Sequence, residues 1–265
     1  MNSTGHRPVL RVRPRAALVL AGTSLVGVAA FTWPFAVRTT EAGQQTVAPW
    51  LFVVVLGLLA AVAAAELASG GLDAKTVALL GVLASVGGAL RVLGAGTAGL
   101  EPMFFLLVVA GRALGPGAGF LLGTLAMLVG AFLTGGIGPW APFQMLAAGW
   151  VTMGAGLLPR ASGRAERWVL AGYGLVAGLA YGAVMNLYFW PFLTTGPEGG
   201  GYDPAASAAQ NLGHYAVFYV VTSLAWDLMR GLLTAVLCLV AGRAVLATLR
   251  RGLRRAAFDA PVVTT

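Results

Sequence analysis

Eight apolar runs, divided by short polar or Gly- and Pro-rich connections, make up most of the chain. A helix needs about 20 mostly apolar residues to cross a bilayer. The runs are 16–37, 48–69, 76–93, 102–114, 117–133, 142–158, 168–190 and 214–249. The fourth is short: it rises only about 20 Å at 1.5 Å per residue, against a hydrocarbon core of about 30 Å. It reads as a tilted short span or a re-entrant segment. The eighth would be about 54 Å long as one straight helix, so its end must leave the membrane or the helix must tilt strongly. The first run follows Arg7, Arg11, Arg13 and Arg15. It is longer than a signal-peptide core and reads as an uncleaved span.

The cations choose an orientation. With the N-terminus in the cytoplasm, the inside segments carry Arg7, Arg11, Arg13, Arg15, Lys75, Arg112, Arg160, Arg164, Arg167, Arg250, Arg251, Arg254 and Arg255. The outside segments carry Arg38 and Arg91. Loops rich in Lys and Arg stay cytoplasmic, so eight spans with both termini inside is the predicted topology. The longest outer connection, Pro191–Gly213, contains a Gly199–Gly201 run and reads as a mobile loop. The tail from Phe258 is predicted to be disordered.

Composition agrees with this. Hydrophobic residues make up 58% and charged residues 10% of the 265 residues, where soluble domains carry about 25% charge. Too little charge is present to cover a water-facing surface, which excludes a soluble enzyme. Glycine, at 38 residues, suits helices whose backbones touch. The net charge of +8 reflects topology rather than nucleic-acid binding, because the cations sit between apolar runs. Arg in place of Lys, with abundant Ala, Gly and Val, indicates a GC-rich bacterial source. The single cysteine, Cys238, reads as a small buried apolar residue.

Most catalytic machinery is missing from the sequence. It has no P-loop, since Lys75 follows Ala74, and no zinc-protease or nucleophile-elbow motif. His6 and His214 are the only histidines. No metal site, cofactor or catalytic residue is expected.

Several helical stripes remain. Ala74, Ala78, Gly81, Ser85 and Gly88 share one face of the third run. They serve either internal packing or docking of another membrane subunit. Trp140 is an interfacial anchor or a stacking group for a ligand. In the seventh run Gly182, Asn186 and Trp190 lie four apart, with Phe189 beside them and Tyr181, Met185 and Tyr188 on the adjoining face. Asn186 needs a hydrogen-bond partner there, either a neighbouring helix or a ligand. In the last run Tyr215, Tyr219, Ser223, Asp227 and Arg230 form one face. Asp227 lies near mid-membrane, where charge is expensive, and either pairs with Arg230 or contacts a ligand. Together these groups suggest an outward-opening pocket with aromatic walls and few charges.

The stretch 74–249 resembles the substrate-binding S component of energy-coupling factor (ECF) vitamin transporters. The resemblance rests on the stripe Ala74–Gly88, the short helix and turn 111–120, the Gly-rich loop and helix from Gly135 to Leu146, and the motifs Met185-Asn186-Leu187 and Trp226-Asp227. It implies an all-α integral membrane protein: a six-helix S-component-like core at 74–249, preceded by a basic N-terminus (1–15) and a two-helix extension (16–69), and followed by a basic tail (250–265). The implied role is capture of a vitamin from outside, not catalysis. The implied partners are a transmembrane coupling subunit and two cytoplasmic ATPases, in a bacterial plasma membrane. The candidate substrate residues are Trp140, Gln144, Asn186, Phe189, Trp190, Tyr215, Tyr219, Ser223, Asp227 and Arg230. The stripe looks like the docking face, and loops 94–101, 134–141 and 191–213 look like closing loops. The Asn186 region and Trp226-Asp227 are similar to members associated with cobalamin or related corrinoids. Riboflavin, pantothenate, a pyridoxine-type vitamin and a queuosine precursor stay open. Two other readings are kept. One is a stand-alone secondary transporter, for which no inverted repeat is evident. The other is a membrane enzyme using Asp227, Arg230, Glu66 and Glu101.

Overall fold

The computed structural model describes residues 13–36, 41–68, 74–94 and 96–258. Arg7, Arg11, Arg38 and the tail beyond residue 258 lie outside the described residues. Those described form ten α-helices and no strand: α1 (Pro14–Ala36), α2 (Glu41–Ala68), α3 (Ala74–Gly94), α4 (Met103–Leu114), α5 (Pro116–Thr134), α6 (Ala141–Leu157), α7 (Gly163–Phe189), α8 (Ala208–Thr222), α9 (Leu224–Val240) and α10 (Gly242–Phe258). Five of them, α1, α2, α3, α5 and α7, are long and apolar enough to cross a membrane. The bent pair α8–α9 makes a sixth if counted as one span. The expected eight included α4 and α6, which have 12 and 17 residues.

The short helix α4 sits at the centre. Every residue from Leu106 to Leu114 is buried, and α4 packs on α5, α6, α7, α9 and α10. Enclosed by protein along most of its length, it need not match the bilayer thickness. Gly115 reverses the chain into α5 with φ 89°, and Pro116 follows at the first helical position. Close backbone crossings hold the α4–α6 unit together. A methyl group on Gly111 would strike the Thr152 carbonyl, and one on Gly123 the Ala148 carbonyl.

The predicted last span is not one helix. It starts at Ala208, bends by 65° between α8 and α9, and breaks again before α10. At the first break Thr222 Oγ1 donates to the Phe218 carbonyl at 2.8 Å and lies 2.9 Å from Ser223 Oγ. The backbone stays bonded across the bend, from Ser223 N–H to the Tyr219 carbonyl at 3.0 Å and from Asp227 N–H to the Ser223 carbonyl at 3.1 Å. The bend also places Asp227 in the first turn of α9. A carboxylate is favoured at a helix N-terminus by the macrodipole, which a mid-helix position would not offer. Beyond the second break, α10 is amphipathic: Leu246 and Leu253 are buried, while Arg243, Arg251 and Arg254 are exposed.

The connection after α7, expected to be mobile, is pinned. Trp190 is wholly buried and donates its indole N–H to the Gly200 carbonyl at 2.8 Å. Tyr202 is buried and donates its hydroxyl to the Pro34 carbonyl at 3.2 Å. Phe35 of α1 stacks on Trp190 at 5.8 Å. Large aromatic side chains thus outweigh the glycines that suggested mobility. Helices α1 and α2 pack against α5, α6, α7 and α8, and Trp150 donates to Ser24 Oγ at 3.1 Å.

Candidate functional site

Helices α7 and α9 cross closely because glycines line the seam. Gly174, Gly178 and Gly182 lie four apart on α7. Methyl groups on them would strike Thr234, Gly231 and the Asp227 carboxylate in turn. Gly182 therefore makes room for Asp227 rather than for its own neighbour Asn186. Small residues at this spacing are a general means of close helix approach in membranes.

The seam ends in an ionic cluster. Arg230 donates to Asp227 and, at 3.3 and 3.2 Å, to both carboxylate oxygens of Glu101. Glu101 reaches it from the α3–α4 connection, which passes over the backbone of Trp226. Gly99 makes that approach possible, with φ +85° and no space for a side chain. The guanidinium carbon lies 5.2 Å from the ring centres of both Phe104 and Tyr181. Arg230 is thus held by two carboxylates and two aromatic rings. Across the gap, Arg91 of α3 donates to Gln144 Oε1 of α6 at 3.0 Å.

Between these groups lies a cavity of about 410 Å³. Its walls come from the ends of α3, α5, α6 and α7 and the start of α9, with the 94–101 connection across it. Of the residues singled out from the sequence, Gln144, Asn186, Ser223, Asp227 and Arg230 line it. Arg91, Glu101, Thr134, Tyr181, Met185 and Trp226 join them. The expected aromatic, weakly charged lining is thus corrected: two arginines and two carboxylates face the space. One buried polar atom on the wall, Asn186 Nδ2, has no hydrogen-bond partner, while the Asp227 carboxylate lies between Arg230 and the Tyr219 hydroxyl, against Gly182.

The other five candidates lie elsewhere. Trp190 is in the buried cluster with Tyr202 and Phe218. Tyr215 donates to the Ala183 carbonyl; Tyr219 reaches the Leu179 carbonyl at 3.4 Å and also bonds the Asp227 carboxylate, so it supports the cavity wall from behind. Phe189 is partly exposed and packs edge-on against Phe218. Trp140 is exposed and donates to the Gly136 carbonyl at 3.1 Å. The docking stripe divides. Ala74, Ala78, Gly81 and Ser85 are exposed, whereas Gly88 is buried against Val129 and Gly130 of α5. Among the described residues, no group of three His, Cys, Asp or Glu side chains could hold a metal ion.

The opposite end of the bundle carries a second cluster. Arg112 of α4 donates to Glu166 at 2.9 Å and to the Leu158 and Pro159 carbonyls at 2.8 and 3.0 Å. Arg250 of α10 donates to both oxygens of Glu166 at 3.0 and 2.7 Å. This clamp ties α4, α7 and α10 together and fixes the position of α10.

A multi-span helical bundle with a polar cavity at one end and a basic clamp at the other defines a membrane protein built around a binding pocket. The sequence signature described as ECF transporter, substrate-specific component, matches residues 75–242. That is well over half of the chain, and the protein belongs to this family. It is a multi-pass membrane protein and a transport subunit, not an enzyme, and family membership implies association with an ECF energizing module. No curated protein and no solved structure matches the chain significantly.

Proposed function

We propose that the cavity between Arg91, Glu101, Asn186 and Asp227 receives a small polar organic molecule, of vitamin or vitamin-precursor size, from outside the cell. The observation that carries this is the unpartnered buried amide nitrogen on the cavity wall, Asn186 Nδ2. A buried polar group without a partner costs about 1–3 kcal/mol. A ligand offering an acceptor to Asn186 would recover that cost. The lining carries two positive and two negative side chains, so neither a strongly anionic nor a strongly cationic ligand is favoured.

The volume bears on the substrate. About 410 Å³ lies within the range for sites of drug-sized ligands, about 300–1,000 Å³. A corrinoid with its nucleotide arm is far larger, so the smaller vitamins fit better than the cobalamin suggested by Trp226-Asp227. The exposed face of Ala74, Ala78, Gly81 and Ser85 is the proposed docking surface for the coupling subunit. Helices α1 and α2 pack on α5–α8 and leave it accessible. The basic clamp and α10 lie at the end that the positive-inside rule assigns to the cytoplasm. The cavity then opens outward, and both termini lie inside.

The test is uptake by cells expressing the chain with and without an ECF energizing module, using a panel of labelled vitamins. Uptake of one small vitamin that requires the module supports the reading. Uptake that continues without any ATPase would instead favour a stand-alone secondary transporter.

A further inference from the structure

Beside the clamp, between the start of α7 and α10, lies a cleft of about 370 Å³ whose chemistry the transport reading does not use. Its floor is apolar, formed by Leu170, Leu246 and Ala247. Its rim carries Arg167, Arg243, Arg250, Arg251 and Arg254 against a single carboxylate, Glu166. Both oxygens of Glu166 are already occupied by Arg112 and Arg250. Among the described residues, Arg167, Arg243, Arg251 and Arg254 form no ion pair with a carboxylate. Arg167 Nε is buried without a hydrogen-bond partner, although its terminal nitrogen reaches the Leu239 carbonyl at 3.4 Å.

Guanidiniums gathered around a cleft with no carboxylate partner among the described residues call for an anion, and forked donors of this kind suit phosphate oxygens. The apolar floor distinguishes the source. A free anion or an acidic protein surface gains nothing from Leu170 and Leu246, whereas an acyl chain does. The cleft also sits where α7, a membrane span, reaches the end of the bundle, and α10 packs its leucines inward there with its arginines exposed. We infer that this cleft binds the headgroup phosphate of an anionic lipid from the leaflet on the α10 side. With the orientation proposed above, that is the inner leaflet, where basic pockets beside spans commonly hold such headgroups. The bound lipid brings α10 and the first turn of α7 under one charge.

The test is native mass spectrometry of the full chain in detergent, titrated with phosphatidylglycerol or phosphatidylcholine. Wild type should bind one phosphatidylglycerol in preference to phosphatidylcholine, less tightly as salt rises. Arg243→Gln with Arg254→Gln should weaken that binding about 30-fold, from about fivefold per cation. Arg13→Gln with Arg15→Gln should leave it unchanged. The thermal midpoint of the double variant reports folding, and the salt dependence of wild type tests the idea without any substitution. Equal binding of the two lipids, or undiminished binding by the α10 variant, overturns the inference. So does full displacement of the lipid by millimolar inorganic phosphate, which would make the site one for the free anion. Loss of association with the energizing module at unchanged lipid binding also overturns it, by assigning the arginines to a protein partner.

Discussion

Arg230 and Glu101 meet through two hydrogen bonds, at 3.2 and 3.3 Å, although 129 positions separate them in the chain. The contact joins the α3–α4 connection to α9 and closes one wall of the cavity. Asp227, one helical turn before Arg230, completes the cluster.

Removing the cation should therefore do more harm than removing either anion. Arg230→Met leaves Asp227, which is almost fully buried, without its charge partner. Breaking a buried pair in this way costs about 3–5 kcal/mol. Glu101→Gln keeps a hydrogen-bond acceptor and leaves Arg230 paired with Asp227, so its effect should be smaller. Thermal unfolding of the detergent-solubilised variants checks the order, and an unchanged midpoint for Arg230→Met would count against a structural role for the cluster.

The α7–α9 seam makes a sharper demand. A methyl group at Gly182 would overlap the Asp227 carboxylate, whereas one at Gly172 on the same helix meets nothing within 4 Å. Gly182→Ala should destabilise by about 1–3 kcal/mol through overpacking and displace Asp227 from the cavity wall. Gly172→Ala should be close to neutral. Parallel unfolding and ligand-retention measurements on the two variants separate a steric effect at Asp227 from a general effect of helix composition.

The face of α3 can be probed without touching the cavity. A side chain at Gly81 would project into open space, so Gly81→Leu should fold and bind ligand normally yet co-purify poorly with the energizing module. Gly88→Leu should damage folding itself, because its first carbon would meet Val129 and the backbone of Gly130. Normal module association by Gly81→Leu would remove α3 from the docking surface.

The positions of the helices were readable because apolar length is a strong signal in a membrane. The break at Ser223 was not, since neither proline nor glycine marks it. Its cause is tertiary: the bend gives Asp227 a helix N-terminus and aligns Arg230 with Glu101. The stripe from Tyr215 to Arg230 was read on a single straight helix, and the bend divides it. Asp227 and Arg230 reach the cavity while Tyr215 and Tyr219 bond to the backbone of α7. Arg91 and Glu101 were visible as isolated charges, but nothing local tied them to the last helices, because that contact spans most of the chain. Trp190 had the opposite fate. It was read as facing a ligand with Asn186, and it packs instead beneath the connection after α7, with Tyr202 and Phe218 and against Phe35.

The central claim is that Asn186 awaits a ligand. Its most direct measurement is the affinity of the purified chain for whichever small vitamin it retains, compared between wild type and Asn186→Leu. The variant replaces an unpartnered amide and should fold at least as well as wild type. It should bind about tenfold or more weakly, from the roughly 1–3 kcal/mol of one hydrogen bond lost in a buried site. Equal affinity in the two proteins, with both folded, would show that the ligand does not reach Asn186 and would contradict the account.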